Sequence, residues 1–126
     1  MKPTESELEI LQILWKSAAE MTVRAVNDRL NERREVGYTT TLKTMQIMLE
    51  KGLLARRQDE RQHFYRPAFE QTSTQNVLIS NLVQNAFSGS AAQLVLQALG
   101  NHTASAAELD EIKKLIQSLE NQQVKP

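Results

Sequence analysis

A mainly α fold with one small β-hairpin is what these 126 residues predict. Three observations carry the prediction. Apolar side chains recur at helical spacing in three stretches between residues 4 and 51. Two short strand-like runs, 53–58 and 63–67, then flank a polar connection. Beyond Pro67 the helical pattern returns, in segments too short to be stable unless their apolar stripes pack against something. The expected division is one domain at residues 1–70 and a helical tail at 71–126.

The first helix is announced by a capping box, Thr4 with Glu7, and Ser6 with Glu9 offers the same arrangement two residues on. Leu8, Ile10, Leu11, Leu14 and Trp15 follow at helical spacing, which puts Trp15 on the buried stripe, and the helix is expected to end near Ser17. Met21-Thr22 reads as a very short extended piece, with Thr22 capping a second helix whose buried stripe is Val23, Val26 and Leu30. Residues 33–37 are a loop with Gly37 as its flexible point.

The third helix is expected from about Thr40 to Lys51, with Gly52 behind it able to take the left-handed conformation. Leu42, Met45, Met48 and Leu49 share one side; Thr40, Lys43, Thr44, Ile47 and Lys51 share the other, a side without an acid. Thr39 and Thr40 are read as caps of this helix, as ligands, or as both. The hairpin connection at 59–62 lacks an Asn-Gly or Asp-Gly signal.

In the tail, 68–75 is a polar connector with Thr72, Ser73 and Thr74 as candidate caps, and a helix over 75–87 carries Leu78, Leu82 and Phe87. Residues 88–90 break it, and a short helix bearing Leu94, Val95, Leu96 and Leu99 is expected to stop at Gly100. A capping box, Ser105 with Glu108, opens a last helix in which Leu109, Ile112, Ile116 and Leu119 step 3, 4, 3, the seam of a coiled-coil-like contact. Residues 121–126 are expected to fray.

Composition narrows the function. Without cysteine there is no disulfide, no thiol catalysis and no Cys-ligated metal, and His63 and His102 stand far apart and are expected to play no special role. No serine–histidine–acid motif or phosphate-cradling glycine loop is present, so no enzyme, metal or cofactor is expected. The polar N-terminus and the lack of a long apolar run predict a cytoplasmic chain without membrane contact. The net charge of zero hides a basic middle: residues 24–66 sum to +4, and the segments on either side to −2 each. That distribution is either a solvated basic face or the footprint of a polyanion.

Helix, helix, helix, hairpin is the order of a winged helix-turn-helix, in which the third helix enters the DNA major groove and the hairpin lies against phosphates. On this reading Thr39, Thr40, Lys43, Thr44 and Lys51 face DNA, with Lys43 and Thr44 the foremost base readers. Arg56, Arg57 and Arg61 are phosphate ligands, or else are paired with Asp59 and Glu60. The C-terminal helical tail is read as a dimerisation tail using Leu78, Leu82, Phe87, Leu96, Leu109, Ile112, Ile116 and Leu119. The competing function is a winged-helix protein-interaction module without specific DNA binding.

Thr4, Glu7, Ile10-Leu11 and Leu14-Trp15, then Tyr38–Met45, Glu50-Lys51-Gly52-Leu53-Leu54 and Phe64-Tyr65-Arg66-Pro67-Ala68, form a set that resembles the penicillinase-repressor (BlaI/MecI-type) family along most of the chain. The resemblance implies a homodimeric repressor that binds a dyad-symmetric double-stranded operator and dimerises through its C-terminal helices. In the repressors of β-lactam resistance a sensor-activated protease cuts an Asn-Phe bond in the tail. The matching segment here is 94–99, and Gln97-Ala98 stands in place of that dipeptide. Copper-responsive relatives sense through tail cysteines, which this chain lacks, and Ile47 stands where an arginine is common among relatives.

Overall fold

The computed structural model describes residues 2–124. Its elements are α1 (Glu5–Lys16), α2 (Val23–Asn31), α3 (Tyr38–Glu50), β1 (Leu54–Asp59), β2 (Gln62–Pro67), α4 (Gln71–Ala86), α5 (Ala91–Asn101) and α6 (Ala106–Val124). The chain forms two compact units, residues 1–80 and 81–126, and α4 is continuous across that division.

Residues 1–80 are a winged helix-turn-helix. The box at the start of α1 is complete: the Glu7 backbone N–H donates to Thr4 Oγ1 at 3.2 Å, and the Thr4 N–H donates to Glu7 Oε1 at 2.9 Å. Thr22 Oγ1 accepts from the Ala25 N–H at 3.1 Å and so caps α2. Met21, just before that cap, exchanges backbone bonds of 3.0 and 2.8 Å with Tyr65 and so adds a one-residue bridge at the β2 edge. β1 and β2 pair antiparallel from Leu54 opposite Pro67 to Asp59 opposite Gln62, which leaves Glu60 and Arg61 as a two-residue turn. Glu60 supplies that turn's positive φ of 56° with a side chain where glycine is usual.

The core lies among α1, α2, α3 and the base of the hairpin. Ile10, Leu11 and Leu14 of α1, Val26 and Leu30 of α2, Met45 and Met48 of α3, and Leu54 and Tyr65 of the wing are all buried there. Trp15 is only partly buried; it packs at the edge of this core and donates its Nε1–H to the Phe69 carbonyl at 3.1 Å. Gly52 takes φ 81° behind α3, as a residue closing a helix in the left-handed conformation must.

Several boundaries differ from expectation: the strands run over 54–59 and 62–67, and four helix boundaries move. α3 begins at Tyr38 with Gly37 as its N-cap and no side-chain cap bond, so Thr39 and Thr40 are first-turn residues and not caps. α4 begins at Gln71, which places Thr72, Ser73 and Thr74 inside it; all three are tolerated in a first turn. α5 runs through Gly100 to Asn101, and α6 stays helical over 121–124. Residues 125 and 126 of the expected frayed end lie outside the described residues.

In residues 81–126, Ser88 (φ 50°) and Gly89 (φ 83°) turn the chain between α4 and α5, with the Gly89 N–H on the Val83 carbonyl at 2.9 Å. Ser105 and Glu108 close their box at 2.9 and 3.1 Å, which holds the Glu108 carboxyl below its usual range. Val83 is the only buried apolar side chain among the described residues of this unit.

Candidate nucleic-acid interface

The outward face of α3 follows from its length and its buried side. Thr41, Met45 and Met48 are buried, spaced as one helical stripe. Thr39, Thr40, Lys43, Gln46, Ile47 and Glu50 are consequently exposed on the opposite side, so the face expected to lack an acid carries Glu50. Thr44 is half-buried and its hydroxyl donates back to the Thr40 carbonyl at 2.9 Å, so it flanks this face with only its oxygen lone pairs free. Gln46, absent from the sequence-derived set, sits three residues beyond Lys43 on the same face.

An amide network built on buried Asn27 fixes α3 against α2. Asn27 Nδ2 donates to the Val36 carbonyl (3.0 Å) and to Thr41 Oγ1 (2.8 Å). Asn31 Nδ2 donates to the same Val36 carbonyl (2.9 Å), while Asn31 Oδ1 accepts from the Val36 N–H (3.2 Å). The turn of the helix-turn-helix is thus clamped at Val36 by two asparagines one helical turn apart on α2. Their i, i+4 spacing beside the stripe of Val26 and Leu30 was the available signal in the sequence.

The wing separates its arginines. Arg56 lies opposite Tyr65 and Arg57 opposite Phe64, and because successive strand residues alternate, the two side chains leave opposite faces of the hairpin. Arg57 stacks over the Phe64 ring (4.9 Å to the centroid) and its Nε donates to Glu20 Oε1 at 2.8 Å, with Asp59 at 3.7 Å from its other end. The Glu20 hydrogen bond and charge raise the Arg57 pKa above its ordinary value. The expected pairing with Asp59 therefore occurs, but Glu20, from the α1–α2 connection, is the nearer partner. Arg56 and Arg61 make no ion pair among the described residues.

On the Tyr65 side of the wing lies a cleft of about 260 Å³ lined by Thr22, Arg24, Tyr38, Leu42, Arg61 and His63. The Arg24 guanidinium stands over the Tyr38 ring, 4.4 Å from its centroid. The starts of α2 and α3 and the wing tip thus converge on a concave, cationic surface. Arg24 is absent from the sequence-derived set, and only the fold brings it to the same cleft as Arg61.

Lys51 requires a correction. Its Nζ sits 2.9 Å from both carboxylate oxygens of Glu7, whose side chain is 4% exposed against 29% for that of the lysine. Burial pushes the Glu7 carboxyl up, but the Thr4 N–H and the Lys51 ammonium together outweigh it and hold the carboxyl below its ordinary range. Lys51 therefore ties the end of α3 to the start of α1, and its charge is paired inside the protein.

Of the tail residues singled out, Leu78, Phe87 and Ile112 are half-buried, and Leu78 falls within the first unit. Leu82, Leu96, Leu109, Ile116 and Leu119 are exposed, Leu96 at 64%. Among the described residues no helix is long and apolar enough to cross a membrane, and no cluster of three or more His, Cys, Asp or Glu side chains could hold a metal ion.

The chain is similar to known proteins over most of its length. A transcriptional regulator BlaI from Mycobacterium tuberculosis is 27% identical over 115 residues, covering 90% of this chain and 82% of that protein. A penicillinase repressor from Bacillus licheniformis is 24% identical over 124 residues, covering 94% and 91%. Among solved structures, a MarR/EmrR family transcriptional regulator from Acinetobacter sp. ADP1 aligns over 95% of this chain and 75% of its own, at 16% identity and a TM-score of 0.44. The family model described as penicillinase repressor matches residues 3–118, and the chain belongs to that family.

Proposed function

We propose that this protein is a homodimeric transcriptional repressor that binds a dyad-symmetric operator, with α3 in the major groove and the wing on phosphates. The observation that carries the reading is the outward face of α3: a row of Thr39, Thr40, Lys43, Gln46 and Ile47, flanked by the cleft where Arg24 and Arg61 converge. Lys43 can donate to guanine O6 and N7, and Gln46 can bind adenine N6 and N7 in bidentate fashion. Arg24, Arg56 and Arg61 supply the phosphate contacts that set position. Family membership, with relatives named as a regulator and a repressor, supports the same reading.

Exposed Leu82, Leu96, Leu109, Ile116 and Leu119 on one 46-residue unit support dimerisation through residues 81–126, since a second copy is the simplest cover for so much apolar surface. Two such copies would present their α3 helices to half-sites one duplex turn, or a multiple, apart.

The test is selection of genomic DNA fragments by the purified protein at near-physiological salt. The expected result is a shared dyad sequence whose recognition shifts in Lys43→Ala and weakens evenly in Arg61→Ala. An Ile112→Glu, Ile116→Glu double variant should sediment as a monomer and bind that sequence far more weakly. Random fragments, or none, would overturn the operator reading in favour of a protein-interaction module. Tight operator binding by the monomer would overturn the tail's role.

A further inference from the structure

Two large apolar or aromatic side chains stand out from α3, Tyr38 at 37% and Ile47 at 41% exposure. Tyr38 lies under the Arg24 guanidinium. Ile47 has no comparable cover and makes no contribution to the buried core of residues 1–80. A β-branched side chain also does little for the helix itself, being a weaker helix former than the straight-chain residues usual on an exposed face. Neither packing nor propensity therefore accounts for isoleucine at this position.

Its surroundings point to another role. Ile47 lies one turn beyond Lys43 and beside Gln46 on the outward face. Residues four apart on a helix stand about 6 Å from each other, close to two base-pair steps along a groove. The major-groove edge of the four base pairs carries one apolar group, the C5 methyl of thymine; every other feature there is a donor or an acceptor. An isoleucine set against the cytosine amine would strip that donor of water and offer it no acceptor. Against thymine it buries a methyl and leaves no polar group unpaired.

We propose that Ile47 is a specificity-determining residue that packs on the C5 methyl of a thymine, about two base pairs from the contact made by Lys43. The proposal rests on the assignment of α3 to the major groove, and its test separates the two.

The full-length protein is first used to select a preferred duplex from random sequence. Each thymine of the half-site is then replaced in turn by deoxyuridine, which removes the methyl and nothing else. The expected result is one position per half-site where the replacement weakens wild-type binding by about fourfold, the value of one buried methyl. Ile47→Ala should bind the thymine duplex correspondingly less well and be indifferent to deoxyuridine at that position alone. Its helicity should match wild type, because the side chain is not in the core. Failure to enrich any sequence overturns the major-groove assignment and this proposal with it. Enrichment of a sequence with the same deoxyuridine profile for wild type and Ile47→Ala overturns the role of Ile47 alone. So does a change of sedimentation in Ile47→Ala, which would make the side chain a protein–protein contact.

Discussion

Removing the Lys51 ammonium separates two roles that one lysine can play in a DNA-binding domain. In Lys51→Ala the Glu7 carboxylate, 4% exposed, keeps the Thr4 N–H at 2.9 Å and loses both of its 2.9 Å bonds to the ammonium. Breaking a fully buried pair from one side costs about 3–5 kcal/mol. Lys51 is 29% exposed, so water screens part of that charge and the expected cost falls to about 2–3 kcal/mol. For a unit of this size that is a fall in melting temperature of roughly 10–20 °C. Urea titration at neutral pH measures the cost directly.

The pH dependence has a defined sign. In wild type the Glu7 carboxyl is held below its ordinary range, so its contribution is fully present above that range and is lost as pH falls through the lowered value. In Lys51→Ala the carboxyl loses the ammonium that helps to hold it down, so the variant takes its proton at a higher pH than wild type. The difference between the two proteins should therefore be largest near neutrality and shrink on acidification. A parallel DNA titration, performed where the variant is still folded, should show a salt dependence equal to wild type. A variant of wild-type stability whose salt slope is shallower by about one would refute the ion-pair assignment and return Lys51 to the phosphates.

Three further outcomes follow from single contacts. Asn27→Ala removes the 3.0 and 2.8 Å bonds that hold α2 to Val36 and Thr41 and should cost about 1–2 kcal/mol in a thermal melt, no more than the sum for two isolated bonds because Asn31 still serves the Val36 carbonyl. Glu60→Gly relieves a left-handed residue at the wing tip; after the extra chain entropy of glycine the net gain should be about 0.5 kcal/mol, and a loss of stability would mean the turn is not strained. Arg57→Ala should flatten the salt slope of DNA binding less than Arg56→Ala or Arg61→Ala, since Glu20 already neutralises Arg57, and equal slopes for all three would show that the Glu20 bond opens on binding.

The legible parts of the fold were those written in local chemistry. Thr4 with Glu7, Thr22, and Ser105 with Glu108 close bonds within three residues, so sequence spacing alone specifies them. The start of α3 was misplaced by two residues because Gly37 caps without a side chain, while two nearby threonines mimic caps. The pairing of Lys51 was not legible for a different reason. It belongs to the polar side of α3 by angle, but its partner lies 44 residues away on α1, and periodicity carries no information about an ion pair at that distance. Which wing arginines have an internal partner was not legible because adjacent residues on a strand face opposite ways, and the place of Arg24 was not legible because the fold alone brings it to the same cleft as Arg61.

Those long-range pairs also explain how a chain of zero net charge can present a cationic surface. Glu7, Glu9 and Glu20 neutralise Lys51, Arg34 and Arg57 within the protein. The acids of the N-terminal segment thus occupy bases of the middle segment that do not belong to the α3 face or the cleft. Seven bases of residues 24–66 are left without an ion pair among the described residues, and four of them, Arg24, Lys43, Arg56 and Arg61, lie at α3 and the Tyr65 side of the wing. If Lys43 is spent on a base, three phosphate ligands remain, and the logarithm of the operator affinity should fall with that of salt at a slope of about −3 per protomer. Had all ten bases of residues 24–66 faced DNA, the slope would be nearer −9. A titration from low to physiological salt distinguishes the two. A slope of about −5 would mean that the three ion pairs open on DNA, so that the acids of α1 and its following turn act as an internal competitor for phosphate.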